Sequence, residues 1–264
     1  MGKNIGILLD LDGVLVRDKK LNPFEDTSEF LNFLRDREIP FRVVSNNSRV
    51  PPKVLKERLA QKGVVLKEGE LITALAVAPD YLRKFNRVLP FCEEEVKEYL
   101  KGEGINLVDT PEADAVFIAQ NHGVTFEDIK KVTTALKEFK AKPVAVNTNK
   151  LAKDSDGLYY PATGSWVKMF IHATDYPESE VVSLGKPSEE FFKLALKGFE
   201  DKEVYFASDD FYTDLIPAEK YNLKTVFVTT GKYSKEDIEK AQYLPFAVVN
   251  SLRELKSLLE KALK

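Results

Sequence analysis

Residues 4–15 read NIGILLDLDGVL. Ile5, Ile7, Leu8 and Leu9 form a short apolar run, long enough for one buried strand of a parallel sheet. The run stops at Asp10-Leu11-Asp12-Gly13. Side chains alternate along an extended backbone, so Asp10 and Asp12 face the same way. Two carboxylates at one strand end repel each other, and a divalent cation relieves the repulsion. Gly13 lets the chain turn sharply just after them. Taken alone, these four residues read equally well as an ordinary acidic turn. The rest of the chain separates the two readings.

Apolar residues recur at helical spacing from Asp26 to Arg37, with Thr27 or Ser28 as the expected cap. Phe41 to Val44 follows as a strand ending in Ser45-Asn46-Asn47-Ser48-Arg49. Pro51-Pro52 opens the next helix, and Leu71 to Phe85 gives a short strand and another helix. Strand, helix, strand, helix predicts a parallel sheet with helices on its faces and polar loops at its carboxyl edge, where such sheets bind ligands. A second series repeats the rhythm without an acidic strand end: strands over Arg87–Cys92, Ala115–Ala119 and Pro143–Asn147, and helices over Glu93–Gly102, Thr125–Phe139 and Gly164–Thr174. Thr125 with Asp128 three residues on is a capping pair. A polar loop is expected from Asn147 to Tyr160. After Glu178 the first style resumes. Val181–Leu184 leads into Gly185-Lys186-Pro187-Ser188, Val204–Ala207 into Ser208-Asp209-Asp210, and Lys224–Val228 into Thr229-Thr230-Gly231. Pro245–Val249 and a helix over Ser251–Leu263 complete the pattern. The fold class is α/β, a doubly wound parallel sheet with a second α/β domain inserted. Residues 1–78 and 180–264 are expected to form the core, and 79–179 the insertion.

Composition narrows the function. The chain has 264 residues, 44% hydrophobic and 31% charged, which describes a globular protein with a real core. A formal charge of −3 and dispersed basic residues argue against a nucleic-acid partner. No apolar run approaches bilayer length and no signal peptide is read, so a cytoplasmic location is expected. Cys92 is the single cysteine, which excludes a disulfide framework and a cysteine-built zinc site. Abundant Lys and Glu with few Met and Cys point toward a thermophile.

Four polar strand ends then ask for one explanation: Asp10/Asp12, Ser45, Lys186 and Asp209/Asp214. Aspartates are hard oxygen ligands suited to Mg²⁺. A lysine neutralises phosphoryl oxygens, and a small hydroxyl donates to them without crowding. A carboxylate can attack phosphorus to form an acyl-phosphate, while a neighbouring carboxyl handles the protons.

At this point the sequence resembles the haloacid dehalogenase superfamily of phosphatases. Within it, it is most similar to the para-nitrophenylphosphatase-like branch that includes NagD, phosphoglycolate phosphatase and pyridoxal phosphatase. The motifs occur in the family's order: Asp10-Leu11-Asp12-Gly13-Val14, Val44-Ser45-Asn46-Asn47-Ser48-Arg49, Gly185-Lys186-Pro187, and Ser208-Asp209-Asp210-Phe211-Tyr212-Thr213-Asp214. The series is far more specific than any one member. The resemblance implies Asp10 as nucleophile, Asp12 as general acid and then base, and Ser45 with the backbone near Asn46 as phosphoryl ligands. Lys186 would steady Asp10 and the transferred group. Mg²⁺ would be held by Asp10, the backbone carbonyl of Asp12 and Asp209, with Asp214 supporting the metal's waters. Asn46, Asn47, Arg49, Gly164 and Ser165 are the expected substrate-binding residues. The insertion would be a cap that closes over the site and selects a small phosphorylated metabolite. A homodimer through the cap is also implied.

Two departures stand out. The family usually has Gly before the first Asp of the fourth motif, where Ser208 stands here. Its cap signature carries an acidic residue after Thr-Asn-x, where Thr148-Asn149-Lys150 is followed by Leu151. Asp156-Gly157, Pro161 and Gly164-Ser165 match the later part. His122 and His172 have no metal or nucleophile spacing and read as structural. Trp166 reads as packing, and Asp210 as part of an acidic turn. The readings kept beside hydrolysis are phosphoryl transfer, as in a phosphomutase, and a phospholigand-binding protein without turnover.

Overall fold

The first strand, β1 (Ile5–Asp10), is buried along its whole length, as its unbroken apolar run requires of a strand covered on both faces. This computed structural model describes residues 4–153 and 156–264. A helix over Thr27–Asp36 buries Phe30, Leu31, Phe33 and Leu34 and leads to β2 (Phe41–Ser45). Its cap differs from expectation. The N-cap is Asp26, without a side-chain cap bond. Thr27 lies inside the helix, buried, with its hydroxyl on the Leu15 carbonyl at 2.8 Å, so the turn after β1 takes the group that would have capped. A helix over Pro52–Gln61 precedes β3 (Leu71–Thr73).

The chain then builds a second sheet from β4 (Val88–Phe91), β5 (Ala115–Ile118) and β6 (Lys142–Ala145). Helices over Phe126–Lys137 and Thr163–Thr174 pack on it through Val132, Ala135, Leu136, Val167, Phe170 and Ile171. Thr125 and Asp128 form the expected reciprocal capping box. Two results depart from the sequence reading. The stretch expected as a polar loop contains an antiparallel hairpin, β7 (Leu151–Lys153) with β8 (Tyr159–Pro161); residues 154 and 155 of that stretch lie outside the described residues. Next, β9 (Val182–Ser183) joins the second sheet, paired in parallel with Val144 and Ala145. Leu184 N–H extends that pairing to the Ala145 carbonyl at 2.9 Å. The order is β4-β5-β6-β9.

Beyond a helix over Glu189–Ala195, the chain adds β10 (Glu203–Ser208), β11 (Lys224–Val228) and β12 (Ala247–Val249) to the first sheet. Its order is β12-β11-β10-β1-β2-β3, with β1 parallel to both β2 and β10. The chain therefore leaves β1 in two directions. Carboxyl ends at such a switch point frame a ligand crevice. The α/β class and parallel sheets flanked by helices are those expected.

By its internal contacts the chain divides into two compact units. One comprises the chain up to Ser45, Leu55–Ile72 and Phe192–Lys264; the other comprises Asn46–Val54 and Thr73–Phe191. Among the described residues, no helix is long and apolar enough to cross a membrane.

Candidate active site

In the first unit, the functional groups gather where β1, β2 and β10 end. Asp10 pairs in register with Val44, and Leu9 with Ala207, so Asp10, Ser45 and Ser208 share one edge of the sheet. Asp10 is 6% exposed, and Ser45 and Ser208 are buried. The Asp10 carboxylate has a neighbour on each side. Leu11 N–H donates to Oδ1 at 2.9 Å, and the Ser208 hydroxyl lies 3.3 Å from Oδ2. The amide bond fixes the carboxylate's direction before any ligand arrives.

Asp12 behaves differently although it lies only two residues on. Its side chain is 45% exposed and holds an ion pair with Lys19 at 2.9 Å. Between them the backbone curls. Val16 and Leu15 N–H donate to the Leu11 carbonyl, and Gly13 N–H donates to Val16 at 2.8 Å. Gly13 sits at φ +77°, and a Cβ there would collide with the Asp209 carboxylate, so only glycine allows this approach. The Thr230 hydroxyl holds the Gly13 carbonyl at 2.6 Å.

Asp209, 7% exposed, is wedged between two bare backbones, since a Cβ on Gly231 would also meet its carboxylate. Lys232 N–H donates to Asp209 Oδ2 at 2.5 Å. Asp214 is buried and accepts from the Ser208 hydroxyl at 2.7 Å. Asp210 serves structure. It caps the turn of π-helix over Phe211–Leu215 by accepting from Thr213 N–H, and pairs with Lys232 Nζ at 2.7 Å. Burial alone would raise the Asp210 carboxyl. Its bonds to Lys232 and Thr213 outweigh that and hold it below the usual carboxylate range. On the partner side burial depresses Lys232, and the Asp210 bond more than reverses it.

These residues fit Mg²⁺. The donors are hard oxygens, and the close approach at Gly13 brings the Asp12–Gly13 peptide against Asp209, as a set of two carboxylates and one backbone carbonyl needs. Among the described residues, no three His, Cys, Asp or Glu side chains form a cation cage of their own.

In the second unit, Lys186 is 4% exposed, directly after β9. The Asn46 side chain accepts from Lys186 N–H at 2.7 Å and donates to the Lys186 carbonyl at 3.1 Å. Asn147, at the end of β6, donates to the Asn46 carbonyl at 2.9 Å. Expected among the substrate-binding residues, Asn46 thus spends its amide on positioning Lys186. Asn47 orders its own turn, accepting from Arg49 and Val50 N–H, and Arg49 Nε lies 4.0 Å from Glu93. Gly164 packs beneath the Thr148–Asn149 backbone, with its N–H on the Asn149 carbonyl at 2.7 Å, and the Ser165 hydroxyl donates to the Lys150 carbonyl at 2.5 Å. Trp166 packs edge-on against Phe91 at 5.3 Å. Burial pushes the Cys92 thiol up to about 12, which removes it as a nucleophile.

The sequence reading did not find Lys232, Thr230 or Asn147. The signal available in the sequence is the polar end of β11, Thr229-Thr230-Gly231, which by itself marks only a strand terminus.

Comparison with known proteins supplies the family. Residues 7–106 match the family model described as haloacid dehalogenase-like hydrolase, and residues 183–255 the one described as HAD-hydrolase-like. The chain is 24% identical over 259 residues to the acid sugar phosphatase of Staphylococcus saprophyticus, covering 96% of this chain and 97% of the relative. Its fold superposes on the p-nitrophenyl phosphatase from Archaeoglobus fulgidus with a TM-score of 0.85 at 27% identity, covering 97% and 99% of the two chains. It superposes on NagD from Escherichia coli with a TM-score of 0.83 at 22% identity, covering 96% and 98%, a likeness of fold. With its motifs in order and its carboxylates at the switch point of the first sheet, the chain belongs to the haloacid dehalogenase-like hydrolases, as an enzyme of the phosphatase type.

Proposed function

We propose that the enzyme hydrolyses a small phosphomonoester in two steps through an aspartyl-phosphate on Asp10, with Mg²⁺ bound by Asp10, the Asp12 carbonyl and Asp209. The observation that carries this reading is the contrast between two neighbouring aspartates. Asp10 is buried and oriented by the Leu11 N–H, as a nucleophile should be. Asp12 is half-exposed on the same short loop and paired with Lys19, at the surface where a proton carrier can meet a leaving group or water.

In the first step an Asp10 oxygen forms a bond to phosphorus as the ester P–O bond breaks, and Asp12 gives its proton to the leaving alkoxide. In the second, water attacks phosphorus and passes a proton to Asp12, releasing phosphate and restoring Asp10. The Ser45 hydroxyl and Lys186 ammonium serve as donors to the phosphoryl oxygens. Bound Mg²⁺ supplies charge neutralisation between these carboxylates and the phosphate. The segment 79–179 acts as the substrate-selecting cap. Residues 107–182 fall between the two family matches, which supports an insertion there.

The test is phosphate release from a panel of small phosphomonoesters, para-nitrophenyl phosphate and sugar phosphates among them, with Mg²⁺ and then with EDTA. Release that needs the metal and disappears in Asp10→Asn is expected. Full turnover by Asp10→Asn would overturn the mechanism.

A further inference from the structure

We infer that Ser208, the residue standing where the family usually has glycine, is a positioning residue for Mg²⁺ binding and acts through Asp214. The inference rests on the proposed metal site and adds to it a group that glycine cannot supply.

The hydroxyl is completely buried and meets three partners. It accepts from Asp210 N–H at 3.1 Å, donates to Asp214 Oδ2 at 2.7 Å, and lies 3.3 Å from Asp10 Oδ2. A serine hydroxyl has one proton. At these distances the proton belongs to Asp214, the shorter and therefore stronger bond. The lone pairs take the Asp210 N–H, which fixes the backbone on the far side of Asp209. One small group thus holds the loop before and after the metal-binding Asp209, and ties down the supporting carboxylate of Asp214. Glycine at 208 would leave Asp210 N–H and Asp214 each without this partner in a buried place, where an unmatched polar group is costly. Groups one step removed from a metal typically set its affinity 10- to 100-fold, and Ser208 is placed to do so here.

Because Ser208 acts through Asp214, the two residues must be energetically coupled. The experiment is a double-mutant cycle read by calorimetric titration of the protein with MgCl₂ in the absence of substrate. It compares the parent, Ser208→Ala, Asp214→Ala and the double variant, with apo thermal midpoints recorded for all four. Ser208→Ala is expected to raise the Mg²⁺ Kd about 10-fold. In the Asp214→Ala background the same change should have little further effect, since coupled sites are non-additive. Ser208→Gly, which keeps the family's residue, should match Ser208→Ala and serves as the second variant if alanine unfolds the apo protein. Parent-like Mg²⁺ affinity in a folded Ser208→Ala or Ser208→Gly protein overturns the inference. So do fully additive losses, which would show Ser208 acting independently of Asp214. A parent that takes up no Mg²⁺ at all overturns the proposed metal site itself, a result distinct from either.

Discussion

The amide of Asn46 grips the backbone of Lys186 on both sides, accepting from its N–H at 2.7 Å and donating to its carbonyl at 3.1 Å. Asn46 directly follows Ser45 in the chain, so the second motif carries both the hydroxyl proposed to donate to the phosphoryl oxygens and the residue that orients the lysine of the third. Asn46→Ala frees both backbone groups of Lys186. A misplacement of about 1 Å in a catalytic group costs on the order of 100-fold in rate. The expected result is a kcat loss of that order with a smaller change in KM, because in the proposed mechanism Lys186 serves the transferred group. Gly185→Ala should do the same, since its Cβ would press on Asn46 Oδ1 at 2.6 Å. Steady-state kinetics with para-nitrophenyl phosphate checks both.

Asp12→Asn removes the proposed proton carrier and leaves the proposed nucleophile. Turnover should fall about 10²- to 10⁴-fold, and most steeply for esters with poor leaving groups. An activated aryl ester needs less protonation and should lose least. Comparing para-nitrophenyl phosphate with an alkyl phosphate measures the difference.

Gly164→Ala should destabilise the second unit while leaving Asp10 and Asp209 untouched. The added methyl would strike the Thr148 carbonyl and crowd that of Asn149. Forcing a methyl into close-packed backbone costs about 1–3 kcal/mol. Gly102→Ala, where a Cβ meets nothing within 4 Å, is the control. Urea unfolding of the two variants should separate them by that margin.

The Thr125–Asp128 cap predicts a pH dependence. Burial raises the Asp128 carboxyl, but bonds from the Thr125 hydroxyl and N–H prevail and leave it below its ordinary value. The folded-state value is thus lower than the unfolded one. The ionised cap stabilises fully above the unfolded carboxylate range near about 3.9, and the contribution fades as pH falls through the depressed folded value. Thr125→Ala should cost about 1 kcal/mol at pH 7, and the gap to the parent should narrow toward pH 3. Denaturant midpoints at the two pH values test this.

Much of the fold is written in local pattern. The run Ile5–Leu9 and the box Thr125/Asp128 each declare their element because burial and capping act within a few residues. What stayed hidden depends on distant partners. Val182–Ser183 is two residues long, and only pairing with Val144 and Ala145 tells which sheet it joins. Leu151–Lys153 and Tyr159–Pro161 are too short for an alternation to show, and Leu151 and Tyr159 remain exposed. In the site, Asp10 and Asp209 were visible through motif order. Ser208 was visible only as an exception. Its place between Asp10, Asp210 and Asp214 shows only once all three stand around it. Lys232 had no readable role until Asp209 and Asp210 lay beside it.

The pairing of β9 with β6 bears on how chimaeras of this enzyme should be built. A junction at Ser179 looks natural from the sequence rhythm. It would take β6 and its partner β9 from different parents, and with β9 the loop that carries Lys186. A graft meant to exchange specificity with a relative should extend through Phe191, and should carry Asn46–Val54 from the same donor, because those residues pack with the segment being moved. The transplantable piece is therefore discontinuous, two stretches that must come from a single parent.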